Sequence, residues 1–386
     1  MTRPRLLIYV QHLVGIGHFK RASVIARAAA ERGLDVTLMT GGQAPRDANL
    51  GAVKLTQLAP AHTKENDFTV LLAEDGSIVD DSWRSQRSAA VLEGFRRIRP
   101  DVVMIELFPF GRRKMRFELL PLLCAAREAE PRPIVVSSIR DILVGQENLQ
   151  RADEVCQYLE DYFDHVLVHG DPKFIRLNAT FPRTAKIENL LTYTGYVVDK
   201  SHGVHSEQSV QEVLVSAGGG ATGQHLFDIA LACRPLTELR DRTWRFLVGT
   251  RGDIQSLRAQ VGKAATNIIV ESARSDFPAL LKSCALSISH GGYNTTVETL
   301  QANAPSVIVP YSTDRESEQS FRANLLAKRN LIETISEAEL SPETLAKAVN
   351  SAFQAGRKES DIDLSGAEVS ARLLDEWSRP SEEVAR

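Results

Sequence analysis

The sequence predicts an α/β protein made of two doubly wound, Rossmann-like domains with parallel sheets. Three observations carry this. Short apolar runs alternate with helical segments along most of the chain, the order that builds parallel strands joined by crossover helices. A glycine-bearing turn follows the first apolar run of each half, at the carboxyl end of a strand, where doubly wound sheets bind ligands. The chain has 386 residues, 43% hydrophobic and 25% charged, which suits two globular domains of ordinary size. A net charge of -3 gives no overall reason to bind nucleic acid. Cys124, Cys156, Cys233 and Cys284 are scattered and form no CxxC pair, so neither a disulfide framework nor a zinc site is expected and a reducing cytoplasm fits. The opening MTRPRLLIYV is too short an apolar run for a secretory signal, and no run approaches the roughly eighteen apolar residues of a membrane span. Contact with a membrane is then peripheral at most.

The first domain is expected over residues 1–196. Residues 6–10 form an apolar strand, and the loop QHLVGIGHFKR brings Gly15, Gly17 and His18 to its carboxyl end. An alanine-rich helix follows from about 20 to 32, closed by Gly33, and 35–40 is the second strand. Residues 41–100 are less periodic, with a strand-like piece at 53–58 and a helix over about 83–97. The run 101–106 is another buried strand, ending in Glu106. Strands are also expected at 133–139 and 165–169, with polar ends toward the same edge. His165 and His169 share a side of their strand but have no acidic or thiol companion nearby in sequence, so they read as packed or cleft-lining histidines rather than metal ligands.

Residues 197–211, with His202, Gly203 and His205, are polar and read as a linker; the second domain is expected over 212–355 and a polar tail over 356–386. The second domain opens with a strand at 212–216 and the glycine loop AGGGATG, which has no Lys-Ser/Thr and is not a Walker A site. Strands at 244–249 and 267–271 continue the sheet, a helix runs from Asp276 to Cys284, and 286–289 is a further strand. Gly291-Gly292 then turns the backbone into a helix starting near Asn294, Ala304-Pro305 ends it, and 306–309 is the next strand. Helices are expected at 321–328, 342–353 and 365–377, and the last residues, PSEEVAR, read as disordered.

The candidate chemistry sits at the strand ends. The first amides of the helix after Gly291-Gly292 lack intrahelical partners and lie at the positive end of its dipole, where a phosphate is bound without bulky side chains. His290 and Thr295 or Thr296 can add donors, Glu298 can accept both hydroxyls of a ribose, and Glu318-Gln319 can meet a sugar. The Gly218-Gly219-Gly220 loop exposes further amides. In the first domain Gly15-Ile16-Gly17 lacks the third glycine of a dinucleotide fingerprint, and His18 suits removal of a hydroxyl proton near neutrality; it can equally be a helix-end histidine that bonds the loop. Glu106 can bind an acceptor, pair with His18, or balance nearby arginines. Phe108, Phe110, Met115 and Phe117 interleave with Arg112, Arg113, Lys114 and Arg116, either as a clamp for an anionic acceptor or as the entry of a helix with solvated charges.

The ordered series HGGYNTTVE with the later Glu-Gln, the glycine loop and the GIGH element resemble the motifs of MurG-like glycosyltransferases of family 28. That resemblance implies a GT-B fold, two domains facing a cleft, with a terminal helix crossing back to the first. It implies donor binding by Gly218, Gly219, Gly220, His290, Gly291, Gly292, Asn294, Thr295, Glu298, Glu318 and Gln319, with Arg274 and Phe277 beside the uracil by position. It implies an acceptor side at Gly15 and Gly17 with His18 as general base, and the residue pattern adds Glu106, Arg112 and Arg113 to that side as candidates. The expected reaction is inverting transfer from a UDP-sugar, with UDP-GlcNAc a candidate, to a hydroxyl acceptor. No cofactor and no metal are expected, since the one DxD in the chain, Asp361-Ile362-Asp363, lies in the polar tail. Location is expected in the cytoplasm, with peripheral contact at the inner membrane face left open. A UDP-sugar hydrolase or epimerase, or a nucleotide-sugar binder without turnover, would use the same scaffold.

Overall fold

The computed structural model describes residues 3–64, 67–143, 148–200, 211–217, 223–249, 252–262, 267–311 and 318–379. The chain divides into two compact units, Met1–Val197 with Ile362–Arg386, and Val198–Asp361. The first unit holds strands β1 (Arg5–Val10), β2 (Asp35–Thr40), β3 (Lys54–Gln57), β4 (Ala61–Lys64), β5 (Asp67–Ala73), β6 (Val102–Glu106), β7 (Ile134–Arg140), β8 (His165–His169) and β9 (Leu191–Tyr193). Seven of them form one sheet in the order β3-β2-β1-β6-β7-β8-β9, every neighbouring pair parallel. Its helices are α1 (Gly17–Glu31), α2 (Asp81–Ile98), α3 (Arg116–Glu128), α4 (Leu149–Tyr162) and α11 (Gly366–Trp377).

The strands are apolar on both sides because both sides are covered. Leu7, Tyr9, Val103, Ile105, Val135, Val166 and Val168 point to a core shared with α2, α3 and α4. The intervening Leu6, Ile8, Val102, Met104, Val136 and Leu167 point to a core shared with α1 and with Ala367, Ala371 and Leu374 of α11. This is the period-two alternation of a strand buried on both faces. His165 is packed, its ring stacked on Trp377 of α11 at 3.8 Å between centroids.

Three details differ from the sequence reading. Helix α1 begins at Gly17 rather than near 20, because Lys20 N already bonds Ile16 O at 2.9 Å and Phe19 is buried in the first turn. The weakly periodic segment contains the antiparallel hairpin β4–β5. Helix α4 was not expected: its buried face is only Ala152, Val155 and Leu159, and Asn148 caps it by accepting from Arg151 N at 3.0 Å.

The second unit holds β10 (Val213–Ser216), β11 (Trp244–Val248), β12 (Ile268–Ser272), β13 (Leu286–Ser289), β14 (Ser306–Ile308) and β15 (Glu333–Thr334), in the parallel order β12-β11-β10-β13-β14-β15. Helices α5 (Gln224–Cys233), α6 (Ile254–Val261), α7 (Phe277–Ser283), α8 (Tyr293–Gln301), α9 (Glu318–Lys328) and α10 (Pro342–Ala355) complete it. Trp244, Phe246, Leu286 and Ile288 of the sheet pack on Leu226 and Phe227 of α5 and Leu345 and Val349 of α10. In each sheet the strand order reverses beside the first strand, between β1 and β6 and between β10 and β13, and the carboxyl ends there open a crevice.

Candidate active site

In the first unit, both strands at the order reversal deliver a polar group. Glu106 is the last residue of β6 and is fully buried, while His18, on the first turn of α1 after β1, keeps 17% of its side-chain surface exposed. His18 Nδ1 lies 2.9 Å from Glu106 Oε1. Arg21, three residues along α1 and so on the same helix face, pairs with that same oxygen. Ser138 Oγ, on β7 opposite Glu106, donates to Oε2 at 2.7 Å. Of the roles left open for Glu106, the geometry gives pairing with His18 and balance of an arginine, although the arginine is Arg21 of α1.

Burial alone would raise the Glu106 carboxyl, but Arg21, together with His18, overrides it and holds the group well below the usual carboxylate range. Burial, then Arg112, pushes His18 down to about 3 despite Glu106. At neutral pH the imidazole is therefore neutral beside a carboxylate. A neutral imidazole whose Nδ1 faces an ionised carboxylate at 2.9 Å donates from Nδ1, with Arg21 Nη2 3.4 Å away, and so keeps its lone pair on Nε2.

The segment after β6 separates into two parts. Phe108, Phe110 and Met115 are buried in the core and Phe117 packs against it, because Leu107 (φ 66°) and Arg112 (φ 59°) adopt left-handed backbone that folds the aromatic rings inward. The proposed aromatic half of a clamp is thus a structural core. Arg113 and Arg116 pair with Glu154 of α4 at 2.8 and 2.6 Å, and Lys114 donates to Thr69 O. Arg112 turns the other way, its Nε donating to Gln11 O at 2.5 Å at the end of β1. Burial, with Arg140 and Arg21 adding to it, brings Arg112 down to about 10. Gly15 is exposed, with nothing close to where a Cβ would stand, and Gly17 is the first residue of α1.

In the second unit the order reversal lies beside β13. His290 follows it, buried, with Nδ1 2.9 Å from Val309 O. Gly291 has φ 73°, and a Cβ there would stand 2.4 Å from Ile308 Cγ2, so only glycine fits. Gly292 caps α8 without any side-chain bond, and Thr296 Oγ1 ties back to Gly291 O at 3.0 Å. The first amides of α8 therefore follow directly on the glycine turn. Asn294 and Thr295 are half-buried on its first turn, and Glu298, one turn further, is buried.

Glu318 and Gln319 begin α9 and are engaged within the unit. Glu318 accepts from Arg322 at 2.8 Å, Arg322 lies over the Tyr293 ring of α8 at 5.3 Å, and Gln319 accepts from Tyr311 N at 3.2 Å. Arg274 is held by both oxygens of Asp276 at 2.7 and 2.6 Å, and Phe277 packs against Leu281 and Cys284. Gly218, Gly219 and Gly220 lie outside the described residues, as do His202, Gly203 and His205 and the tail from 380. Among the described residues no helix is long and apolar enough to cross a membrane.

Sequence reasoning missed Arg21, whose signal was its spacing of three from His18, and Ser138, which shows only once β7 is placed beside β6.

Residues 213–369 match the Glycosyltransferase family 28 C-terminal domain. Over 345 residues, 86% of this chain and 83% of the relative, the sequence is 23% identical to a UDP-N-acetylglucosamine--N-acetylmuramyl-(pentapeptide) pyrophosphoryl-undecaprenol N-acetylglucosamine transferase of Rhodopseudomonas palustris (strain BisA53). Among solved structures, the glycotransferase of kitacinnamycin superposes with a TM-score of 0.60 at 17% identity, covering 98% of this chain and 96% of that one. MurG of Acinetobacter baumannii superposes with a TM-score of 0.57 at 14% identity, covering 97% and 100%. With parallel sheets in both units, the chain has the GT-B fold of these glycosyltransferases, residues 213–369 carry a glycosyltransferase family 28 C-terminal domain, and the chain as a whole is similar to MurG.

Proposed function

We propose that the protein moves a sugar from a UDP-sugar, UDP-GlcNAc being the first candidate from the name of the relative above, to a hydroxyl acceptor with inversion and without a metal ion. The observation that carries this is the His18–Glu106 pair: a neutral imidazole, oriented by a buried carboxylate, at the crevice of a doubly wound sheet. His18 Nε2 takes the acceptor proton as the acceptor oxygen attacks the anomeric carbon, and Glu106 stabilises the imidazolium that forms. The diphosphate leaves toward the amides of the Gly291–Gly292 turn and the first turn of α8, whose partial positive charge replaces a metal. Glu298, buried one turn further, takes the ribose hydroxyls. Asp363 of the DxD accepts from Ser365 N and Oγ at 2.9 and 2.6 Å, which occupies that carboxylate locally.

A thermal-shift panel of UDP, UDP-GlcNAc, UDP-glucose, a dTDP-sugar and a GDP-sugar tests the donor, because a ligand of the folded state alone raises its stability. UDP-sugars are expected to give the largest shift, and Glu298→Ala to lower it; a shift unchanged in Glu298→Ala removes the ribose assignment. Transfer unaffected by a chelator is expected, and loss of transfer on chelation contradicts the metal-free mechanism. Rapid UDP release or sugar isomerisation from donor alone would favour a hydrolase or epimerase.

A further inference from the structure

Behind His18 and Glu106 a buried polar chain continues across the first sheet. Ser138 Oγ, bonded to Glu106 Oε2, is also 2.9 Å from His169 Nε2 at the end of β8, and His169 Nδ1 is 2.9 Å from Thr194 Oγ1 just after β9. Glu106, Ser138 and His169 are fully buried and Thr194 is 1% exposed. We propose that His169 and Ser138 are positioning residues that fix the protonation pattern of the His18–Glu106 pair. The proposal rests on the reading of His18 as base.

Proton placement decides the argument. Glu106 is ionised, so its oxygens only accept, and the Ser138 hydroxyl facing Oε2 gives it its single proton. The Ser138 oxygen then meets His169 as an acceptor, which requires the proton of His169 on Nε2. Burial and Arg21 keep His169 neutral, so Nδ1 is bare and faces the Thr194 hydroxyl, whose proton can go to it or to Gly195 O, each 2.9 Å away. From His169 Nε2 through Ser138 to Glu106, each donor is used once and both bonds point toward the carboxylate. The other tautomer of His169 would set two lone pairs against each other at Ser138.

The consequence falls on the far side of the carboxylate. The Ser138 bond holds Oε2 toward β7, which leaves Oε1 facing Arg21 and His18 Nδ1–H. Without that hold the carboxylate can turn and offer both oxygens to the Arg21 fork, the geometry a guanidinium prefers, and His18 loses the acceptor that fixes its tautomer. The far end of the chain is itself fixed. Gly195 has φ 81°, and a Cβ there would stand 2.7 Å from Asp363 Cγ, while Tyr196 N donates to Asp363 O at 2.8 Å and Gly366 N to Tyr196 O at 3.0 Å. Thr194 is anchored where the first unit's outgoing and returning segments bond to each other.

Histidine side-chain nitrogen NMR on the full chain, assigned with His169→Gln and His18→Gln, reads both tautomers without any substrate. The expected result is His169 protonated at Nε2 and bare at Nδ1, with His18 protonated at Nδ1 and bare at Nε2. His169→Phe keeps a ring but no donor; it should leave His18 as a mixture of tautomers and lower transfer kcat on the order of tenfold with donor KM unchanged. His169→Gln, which restores an N–H toward Ser138, should recover most of that rate. A proton found on Nδ1 of His169, or a His18 tautomer unmoved in His169→Phe, overturns the proposal. If His169→Phe fails to fold, Ser138→Ala gives the same two readouts. Failure of the underlying reading looks different: His18→Ala would keep its transfer rate while the His169 tautomer stayed as expected.

Discussion

The two units use the same architectural position for opposite kinds of site. In the first, the crevice where the strand order reverses is built from side chains, with His18, Arg21, Glu106, Ser138 and His169 drawn from one helix and three strands. In the second, the corresponding crevice beside β13 is built mainly from backbone, with the turn at Gly291–Gly292 leading into the first amides of α8 and the buried carboxylate of Glu298 one turn further along that helix. Buried charge makes the first site depend on each partner and on pH. The second depends chiefly on the backbone conformation of the turn, with Glu298 as the side chain proposed to hold the ribose. A diphosphate suits the second kind of site and a proton transfer suits the first.

The largest effect that would sharpen this contrast is expected at Arg21. Arg21→Met leaves Glu106 ionised in a buried place without its main counter-charge, which should cost about 3–5 kcal/mol in the stability of the first unit. Urea unfolding followed by a probe in that unit measures it, and a loss below about 1 kcal/mol would mean the carboxylate takes its stabilisation elsewhere. In the second unit the matching test is Gly291→Ala, which forces a Cβ against Ile308 at positive φ and should cost about 1–3 kcal/mol and weaken donor binding together. Donor affinity equal to the parent in that variant would break the claim that the turn forms the site.

A smaller effect separates the units by pH. Burial and the neighbouring arginines push His18 and His169 down to about 3, whereas the unfolded chain takes up these protons near 6.5. As pH falls from 6.5 toward 3 the unfolded state binds protons that the folded state refuses, so stability drops, by at most about 1.4 kcal/mol per pH unit for each histidine. His12 and His165 shift in the same direction. Glu106 adds to the loss lower down: its folded pKa is depressed, so the stability it gives above about 4.5 disappears as pH falls further. Stability measured against pH in the parent and in His169→Phe should differ in slope over this window, and equal slopes would show that His169 is not held neutral. The smallest effect is expected at Arg113, whose partner Glu154 sits on the surface; Arg113→Ala should change stability by less than about 1 kcal/mol and leave transfer intact. A large loss of transfer there would restore the acceptor clamp.

The same contrast explains what the sequence could reveal. The β13, glycine turn, α8 series is contiguous, so its strand, turn and helix amides can be read along the chain, and Gly291 proves to need glycine for both its φ and its space. The first site is assembled across 88 residues between His18 and Glu106, and another 32 to Ser138, so residue order offers only candidates until the sheet order is known. Strand positions were legible because both faces of each sheet are covered. Helix α4 was not, because Ala152, Val155 and Leu159 are a thin apolar stripe among charges. The run of Phe108, Phe110 and Met115 among arginines misled for the reverse reason: two left-handed residues turn the aromatic positions into the core, a backbone choice that the residue types do not announce.

The most direct test of the account pairs two measurements on one variant, donor affinity and transfer rate in His18→Ala, with UDP-GlcNAc as donor and an acceptor-containing cell extract. The account predicts donor affinity within about twofold of the parent and transfer slowed by about 10²-fold or more. Transfer at the parent rate would contradict it, and so would a loss of donor binding.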